Sequence, residues 1–105
     1  MNSIIPGDHK ERCFICGRYC STEEHHIFGG YADRDISERY GLKVHLCYEH
    51  HQGTNGAHGK NGKKMQEYLH QTGQETFEEW AKKRFNLTAE EARDKFRKEF
   101  RKSYL

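Results

Sequence analysis

The residues able to do chemistry fall in three short segments: Cys13-Phe14-Ile15-Cys16, Glu24-His25-His26-Ile27-Phe28-Gly29-Gly30 and Cys47-Tyr48-Glu49-His50-His51. Two thiolates three residues apart reach one ion if the chain between them turns tightly, and Gly17 supplies the permissive φ for such a turn. Cys47 and His50 repeat the spacing, so Cys13, Cys16, Cys47 and His50 read as a closed, tetrahedral structural zinc site. His51, directly after the last of these ligands, is left over. His25 and His26 are neighbours on an expected strand. Adjacent strand residues point to opposite faces, so the two histidines are expected to do separate work. His58 is either a further metal ligand or an unengaged loop histidine. Cys20 reads as a half-buried free thiol, since free cysteine behaves as a small hydrophobe.

These groups need elements to hold them. Residues 21–28 form an expected strand anchored by Ile27 and Phe28 and broken by Gly29-Gly30. Residues 31–40 read as a loop with at most a helical turn over Ile36 and Tyr40. Leu42-Lys43-Val44-His45-Leu46 alternates apolar and polar, the period of a half-buried strand. It should pair antiparallel with the first, with His45 on the face opposite Val44. Residues 52–62 contain four glycines and must be mobile or tightly turned.

From Lys63 the pattern turns helical, with Met65, Tyr68 and Leu69 on one face and Gly73 as the expected stop. Thr76-Phe77-Glu78-Glu79 has the form of a capping box opening a second helix to about Phe85. Thr88-Ala89-Glu90-Glu91 repeats that form ahead of an Ala92, Phe96, Phe100 stripe, which reads as core packing. The expected organisation is an N-terminal arm (1–12), loosely held; a zinc-braced core (13–62); and C-terminal helices packing on it (63–105).

Composition is consistent with a metal staple. The 105 residues are 33% hydrophobic and 32% charged, with a mean hydropathy of −1.15, which leaves little material for a core. Four cysteines accompany eight histidines. The first residues carry no export-signal pattern and no apolar run approaches a membrane span. The expected location is therefore a reducing cytoplasm, where thiols stay available to zinc. The net charge is only +2, but Lys82, Lys83, Arg84, Arg93, Lys95, Arg97, Lys98, Arg101 and Lys102 make the last quarter basic. Glu90, Glu91, Asp94 and Glu99 interleave as helical partners, so this stretch suits a solvated face as well as phosphate contact.

Taken together, Cys13-x-x-Cys16, Glu24-His25-His26-Ile27 and Leu46-Cys47-x-x-His50-His51 resemble the HNH (ββα-metal) endonuclease family, in its small phage or prophage form. The resemblance covers about residues 13–58. It implies an α+β fold in which a zinc-stapled ββα-metal motif precedes the helical C-terminal segment. It implies that His25 and His51, with His58 as a third candidate, hold a catalytic divalent ion, and that His26 is the general base. It further implies hydrolysis of DNA to 5′-phosphate and 3′-hydroxyl ends. A histidine has the pKa needed to deprotonate water near neutrality, and one divalent ion relieves charge on the phosphorane and leaving oxygen. The expected cofactors are Zn²⁺ in the tetrad and Mg²⁺, Mn²⁺ or Ni²⁺ in the catalytic site; all-imidazole ligation favours the transition metals. The expected partner is DNA, with the chain acting as a homodimer or within a larger phage protein complex.

The family's central asparagine is missing. Residues 27–50 contain none, and Asp33, Asp35, Ser37 or His45 stand where a substitute is needed. Two other readings remain on the sequence alone. One is a non-catalytic zinc-stabilised module, a phage regulator or inhibitor, that binds nucleic acid or protein. The other is a different enzyme with a transition metal at His25, His51 and His58.

Overall fold

The computed structural model describes residues 1–105. The elements are β1 (Glu23–His26), α1 (Asp33–Tyr40), β2 (Lys43–Leu46), α2 (Tyr48–His51), α3 (Lys63–Phe85) and α4 (Ala89–Phe100). They form a small α+β fold around a two-stranded antiparallel sheet. The register pairs Glu23 with Leu46, Glu24 with His45, His25 with Val44 and His26 with Lys43. Glu23 and His25 therefore share one face of the sheet with Val44 and Leu46. Glu24 and His26 share the other with Lys43 and His45.

The first strand is shorter than the expected 21–28. Ile27 still donates to the Leu42 carbonyl (3.0 Å), but Phe28 leaves the ladder. Its N–H donates to the Ser37 hydroxyl (3.1 Å), which donates in turn to the Phe28 carbonyl (2.9 Å). One side chain thus satisfies both backbone groups of a residue that has lost its strand partner.

That serine sits on α1, eight residues of helix where a loop was expected. Asp33 and Asp35 in its first turn suit the positive end of the helix dipole, and Gly41 closes it in the left-handed conformation (φ 70°).

The arm is not loose. A two-stranded sheet leaves the outer edge of β2 unpaired, and buried backbone groups there need partners. Ser3 Oγ donates to the Lys43 carbonyl (2.6 Å). The Asp8 carboxylate accepts from His45 N–H (2.8 Å) and from its ring Nδ1 (2.6 Å). Phe14 N–H donates to the His45 carbonyl (2.8 Å). With that edge covered, all four residues of β2 are buried, and so is Ile5 of the arm.

The expected break at Gly73 and restart at Thr76 do not occur, because α3 runs unbroken through 23 residues. Thr76 is no cap; its hydroxyl donates back to the Thr72 carbonyl (2.9 Å) inside the helix. Gly73 is there for proximity. A Cβ on it would stand 2.8 Å from Ile27 Cγ2 and 3.0 Å from Phe28 Cε2, so the missing side chain lets the helix lie against the end of β1. The turn to α4 follows the expectation: Thr88 and Glu91 form a reciprocal capping box.

Phe28 is the junction between sheet and helices. Its ring stacks on His70 (centroids 5.3 Å apart, 13° between planes) and meets Phe96, Phe100 and Tyr104 at 4.5–5.4 Å. Phe77, Leu69, Ala81 and Ala92 complete a core of fully buried side chains, as the apolar stripes of the two helices require. Several cations of the basic stretch are engaged: Lys82 with Glu79, Arg93 with Glu78, Arg97 with Asp94 and Arg101 with Asp33. No helix is long and apolar enough to cross a membrane.

Candidate metal centres

Cys13, Cys16, Cys47 and His50 converge, with one ligand atom from each lying within 4.8 Å of the others. The first pair sits on a tight turn. Gly17 N–H donates to the Cys13 carbonyl (2.9 Å), and Gly17 takes the positive φ (74°) that the turn requires. The second pair comes from the start of α2, where Cys47 is the extended residue ahead of the helix and His50 lies one turn on.

The distances suit zinc. Tetrahedral bonds of about 2.3 Å to sulfur and 2.0–2.1 Å to nitrogen put neighbouring S and N atoms about 3.5 Å apart. His50 Nδ1 lies 3.1 Å from Cys47 Sγ and 3.7 Å from Cys13 Sγ. Burial alone would push the Cys13 thiol up, but the backbone N–H groups of Cys16, Cys47 and Ile15 outweigh it and lower the pKa to about 6. That shift favours the thiolate, the form that binds metal. Cys47 goes the other way, pushed up by burial and by the neighbouring Cys13 sulfur. These four residues are positioned to bind a metal such as zinc. Cys20 stays apart, half-buried, its thiol against the Arg18 carbonyl at 3.6 Å.

A second cluster gathers His25, His51 and His58, again with ligand atoms within 4.8 Å of one another. The ring centroids are 5.2 Å (His25–His51), 4.9 Å (His25–His58) and 4.7 Å (His51–His58) apart. Glu23, two residues before His25 on the same strand face, accepts from His51 Nδ1 (2.8 Å). That bond fixes the tautomer and leaves Nε2 with its lone pair, the usual support for a metal-binding histidine. Burial first, then the imidazoles of His58, His51 and His26, lower the pKa of His25 to about 3. Burial and His51 lower His58 as well. Three imidazoles facing a common point, two of them (His25 and His58) held against protonation by burial, are a donor set suited to a divalent transition ion.

The glycine-rich stretch delivers His58, and it is tightly turned. Gly53, Gly56, Gly59 and Gly62 recur every third residue, each N–H after the first donating to the carbonyl of the glycine before it (2.9–3.1 Å). Side chains at these positions would run into carbonyl oxygens of the preceding turns. Ala57 and His58 N–H groups donate back to the His50 and His51 carbonyls (2.8 and 2.7 Å), tying the coil to α2.

His26 opens on the same cleft although it lies on the other sheet face. The cleft is about 280 Å³ and is lined by both histidines of the pair, His51, His58, Glu24, Arg34 and Gly29-Gly30. His26 Nε2 is 2.8 Å from Glu38 Oε1, and Nδ1 accepts from Arg34 Nε at 3.4 Å. The Met1 ammonium, His26 and Lys43 hold the Glu38 carboxyl well below the usual carboxylate range. Glu24, His26 and Glu38 also converge, but the Lys43 ammonium already stands against both carboxylates, at 3.3 and 3.0 Å.

Of the four residues in the interval that lacks asparagine, Ser37 is the one that ties down the strand end. His45 is bound to Asp8, Asp33 pairs with Arg101, and Asp35 is exposed. Glu23, Arg34 and Glu38 were missed from the sequence. Glu23 follows from strand alternation with His25. Arg34, Ser37 and Glu38 have the i, i+3, i+4 spacing of one helix face, a signal hidden while 31–40 was read as a loop.

Comparison of the chain with protein-family models, with curated proteins and with solved structures finds no match.

Proposed function

We propose that this chain is a metal-dependent DNA endonuclease or nickase of the HNH type, hydrolysing phosphodiester bonds. One observation carries the reading. Two consecutive histidines on opposite faces of a four-residue strand open on a single cleft, one joining a three-imidazole cluster and the other held by a carboxylate. The antiparallel strand pair, its two strands joined through α1 and followed directly by the short helix α2, supports it, with the last zinc-tetrad ligand immediately before His51.

His25, His51 and His58 would hold a divalent ion, Mn²⁺ or Ni²⁺ by ligand type or Mg²⁺, which would supply positive charge for the phosphate and the leaving 3′-oxygen. The rest falls to the chain itself. With Nε2–H donated to Glu38, His26 has Nδ1 as the nitrogen that takes a proton from water. Glu38 fixes that tautomer and stabilises the imidazolium that forms. Ser37 holds the end of β1 so that His26 keeps its direction. The zinc tetrad fixes α2, and hence His51, against the strand. DNA is the partner, and a reducing cytoplasm is the compartment that keeps the four thiols free. A homodimer or larger complex would supply the grip on DNA that a chain of low net charge lacks.

A non-catalytic, zinc-stabilised binding module is the second reading. It is favoured by one detail: both ring nitrogens of His26 are engaged. The experiment is incubation of supercoiled plasmid with zinc-loaded protein and Mg²⁺, Mn²⁺ or Ni²⁺, beside His26→Ala. Metal-dependent nicking that disappears in the variant is the expected result. DNA binding without cleavage under every metal would establish the second reading instead.

A further inference from the structure

Arg34 is the only side chain lining the cleft whose charge does not depend on protonation near neutral pH and is positive. It is exposed, and no carboxylate lies within ion-pair distance of it, unlike Arg93, Arg97 and Arg101. Its one side-chain hydrogen bond runs from Nε to His26 Nδ1, at 3.4 Å. Both Nη groups, the prongs that grip a phosphate in the two-point manner of guanidinium groups, have no partner in the protein. The long bond to His26 is therefore cheap to give up, and a phosphodiester in the cleft offers a better acceptor. Gly29 and Gly30, beside it on the cleft wall, have open space where side chains would be.

We propose that Arg34 is a phosphate-responsive latch: in the free protein it occupies Nδ1 of His26, and a phosphodiester entering the cleft draws the guanidinium away and exposes that nitrogen. The proposal rests on the nuclease reading for its purpose, but the exchange of hydrogen-bond partners does not. His26 stays tied to Glu38 through Nε2 throughout, so only one side of the ring is uncovered. The device would make the nitrogen available only when a phosphate is present. Arg34, not the basic C-terminal stretch, becomes the first contact for the phosphate at the site of reaction.

The latch can be tested without any cleavage. Zinc-loaded protein with no second ion is treated with diethyl pyrocarbonate, and modification of His26 is followed by peptide mass spectrometry against exposed His9. Dimethyl phosphate is the probe. The expected result is a rise in the His26 rate, about fivefold if one ordinary hydrogen bond is released. This is the reverse of the protection that a bound ligand normally gives. Arg34→Ala should show the fast rate without dimethyl phosphate and no response to it, while Arg34→Lys restores part of the response. Lower His26 modification in the presence of the probe, an unchanged rate, or a wild-type rate in Arg34→Ala would each overturn the latch. Circular dichroism of the Arg34 variants checks that the fold persists. If it is lost in both, the wild-type response to the probe decides alone. Plasmid nicking that continues while this assay fails removes the latch and keeps the nuclease. A positive assay without nicking keeps the latch and removes the nuclease.

Discussion

The cysteine tetrad and the histidine cluster each take one ligand from the same four-residue helix, and they differ in donor type, ligand number and access. His50 turns toward three sulfurs and His51, the next residue, toward two imidazoles. The tetrad has its four ligands within the chain and two of them, Cys13 and Cys47, are buried. The histidine cluster has only three ligands, two buried and one exposed like the three cysteines of the tetrad, and it opens on a cleft. Closed four-ligand sites stabilise folds, whereas three-ligand sites keep a position for something else. Adjacent residues on one turn of helix thus divide staple from site.

That division can be broken from the tetrad side with the largest effect. Structural zinc in small domains is worth on the order of 10 kcal/mol of folding free energy. Cys47→Ser, or removal of zinc by a strong chelator, should abolish the cooperative thermal transition seen by circular dichroism. Removing ligands of the histidine cluster should leave that transition in place. Loss of the transition in His51→Ala, with zinc still bound at one per chain, would mean that the two sites are one.

On the histidine side, Glu23→Gln should keep the fold and weaken Mn²⁺ or Ni²⁺ binding by about 10–100-fold, the usual consequence of losing a supporting partner. Titration calorimetry on zinc-loaded protein reads this directly. Zinc retention should not change. An unaltered affinity would show that the bond from His51 to Glu23 does not serve the ion.

A smaller effect comes through packing. Gly73→Ala gains about 1 kcal/mol of helix propensity, but it forces a methyl group against Ile27 and Phe28, and overpacking a filled core costs about 1–3 kcal/mol. The net expectation is modest destabilisation, a melting temperature lower by a few degrees. Because Ile27 and Phe28 continue the strand that carries His25 and His26, second-ion affinity should fall while zinc content holds. An increase in melting temperature would show that the strand end yields.

Acid should separate the clusters most finely. The folded pKa of His25, about 3, lies below the unfolded value of about 6.5. Between these limits the unfolded chain binds more protons than the folded one, so His25 contributes a loss of stability as pH falls through 6.5 toward 3. With the second ion absent, the slope approaches roughly 1.4 kcal/mol per pH unit for this one group. Urea unfolding at a series of pH values, with His25→Gln for comparison, measures it. The variant should show the shallower decline, and equal slopes would refute the assignment.

Much of this was legible in the residues. The tetrad follows from two three-residue spacings and one permissive glycine, and the separation of His25 from His26 follows from strand alternation. The α4 cap at Thr88 is a local device and appears as read. What failed depends on distant partners. Gly73 looks like a helix stop until Ile27 and Phe28 are placed against it. The arm looks unstructured because Ser3 and Asp8 have meaning only beside the open edge of β2. Residues 31–40 carry too few apolar side chains to announce a helix, and with that helix went Arg34 and Glu38. The same blindness hid the three-residue period of the glycine coil, which is a pattern of absent side chains.

That coil has a consequence for how ions come and go. Apart from backbone hydrogen bonds, only the Gln66 side-chain amide donating to the Ala57 carbonyl and one small buried side chain, Ala57, anchor the turn that presents His58. Ordering so many glycines carries a high entropic cost, so this turn is the part of the molecule most ready to loosen. His58, outermost of the three imidazoles, is then the first ligand to release and the last to engage. An ion at His25 and His51 would exchange through that door on its own timescale, while an ion held by the cysteines would wait for the whole domain to open.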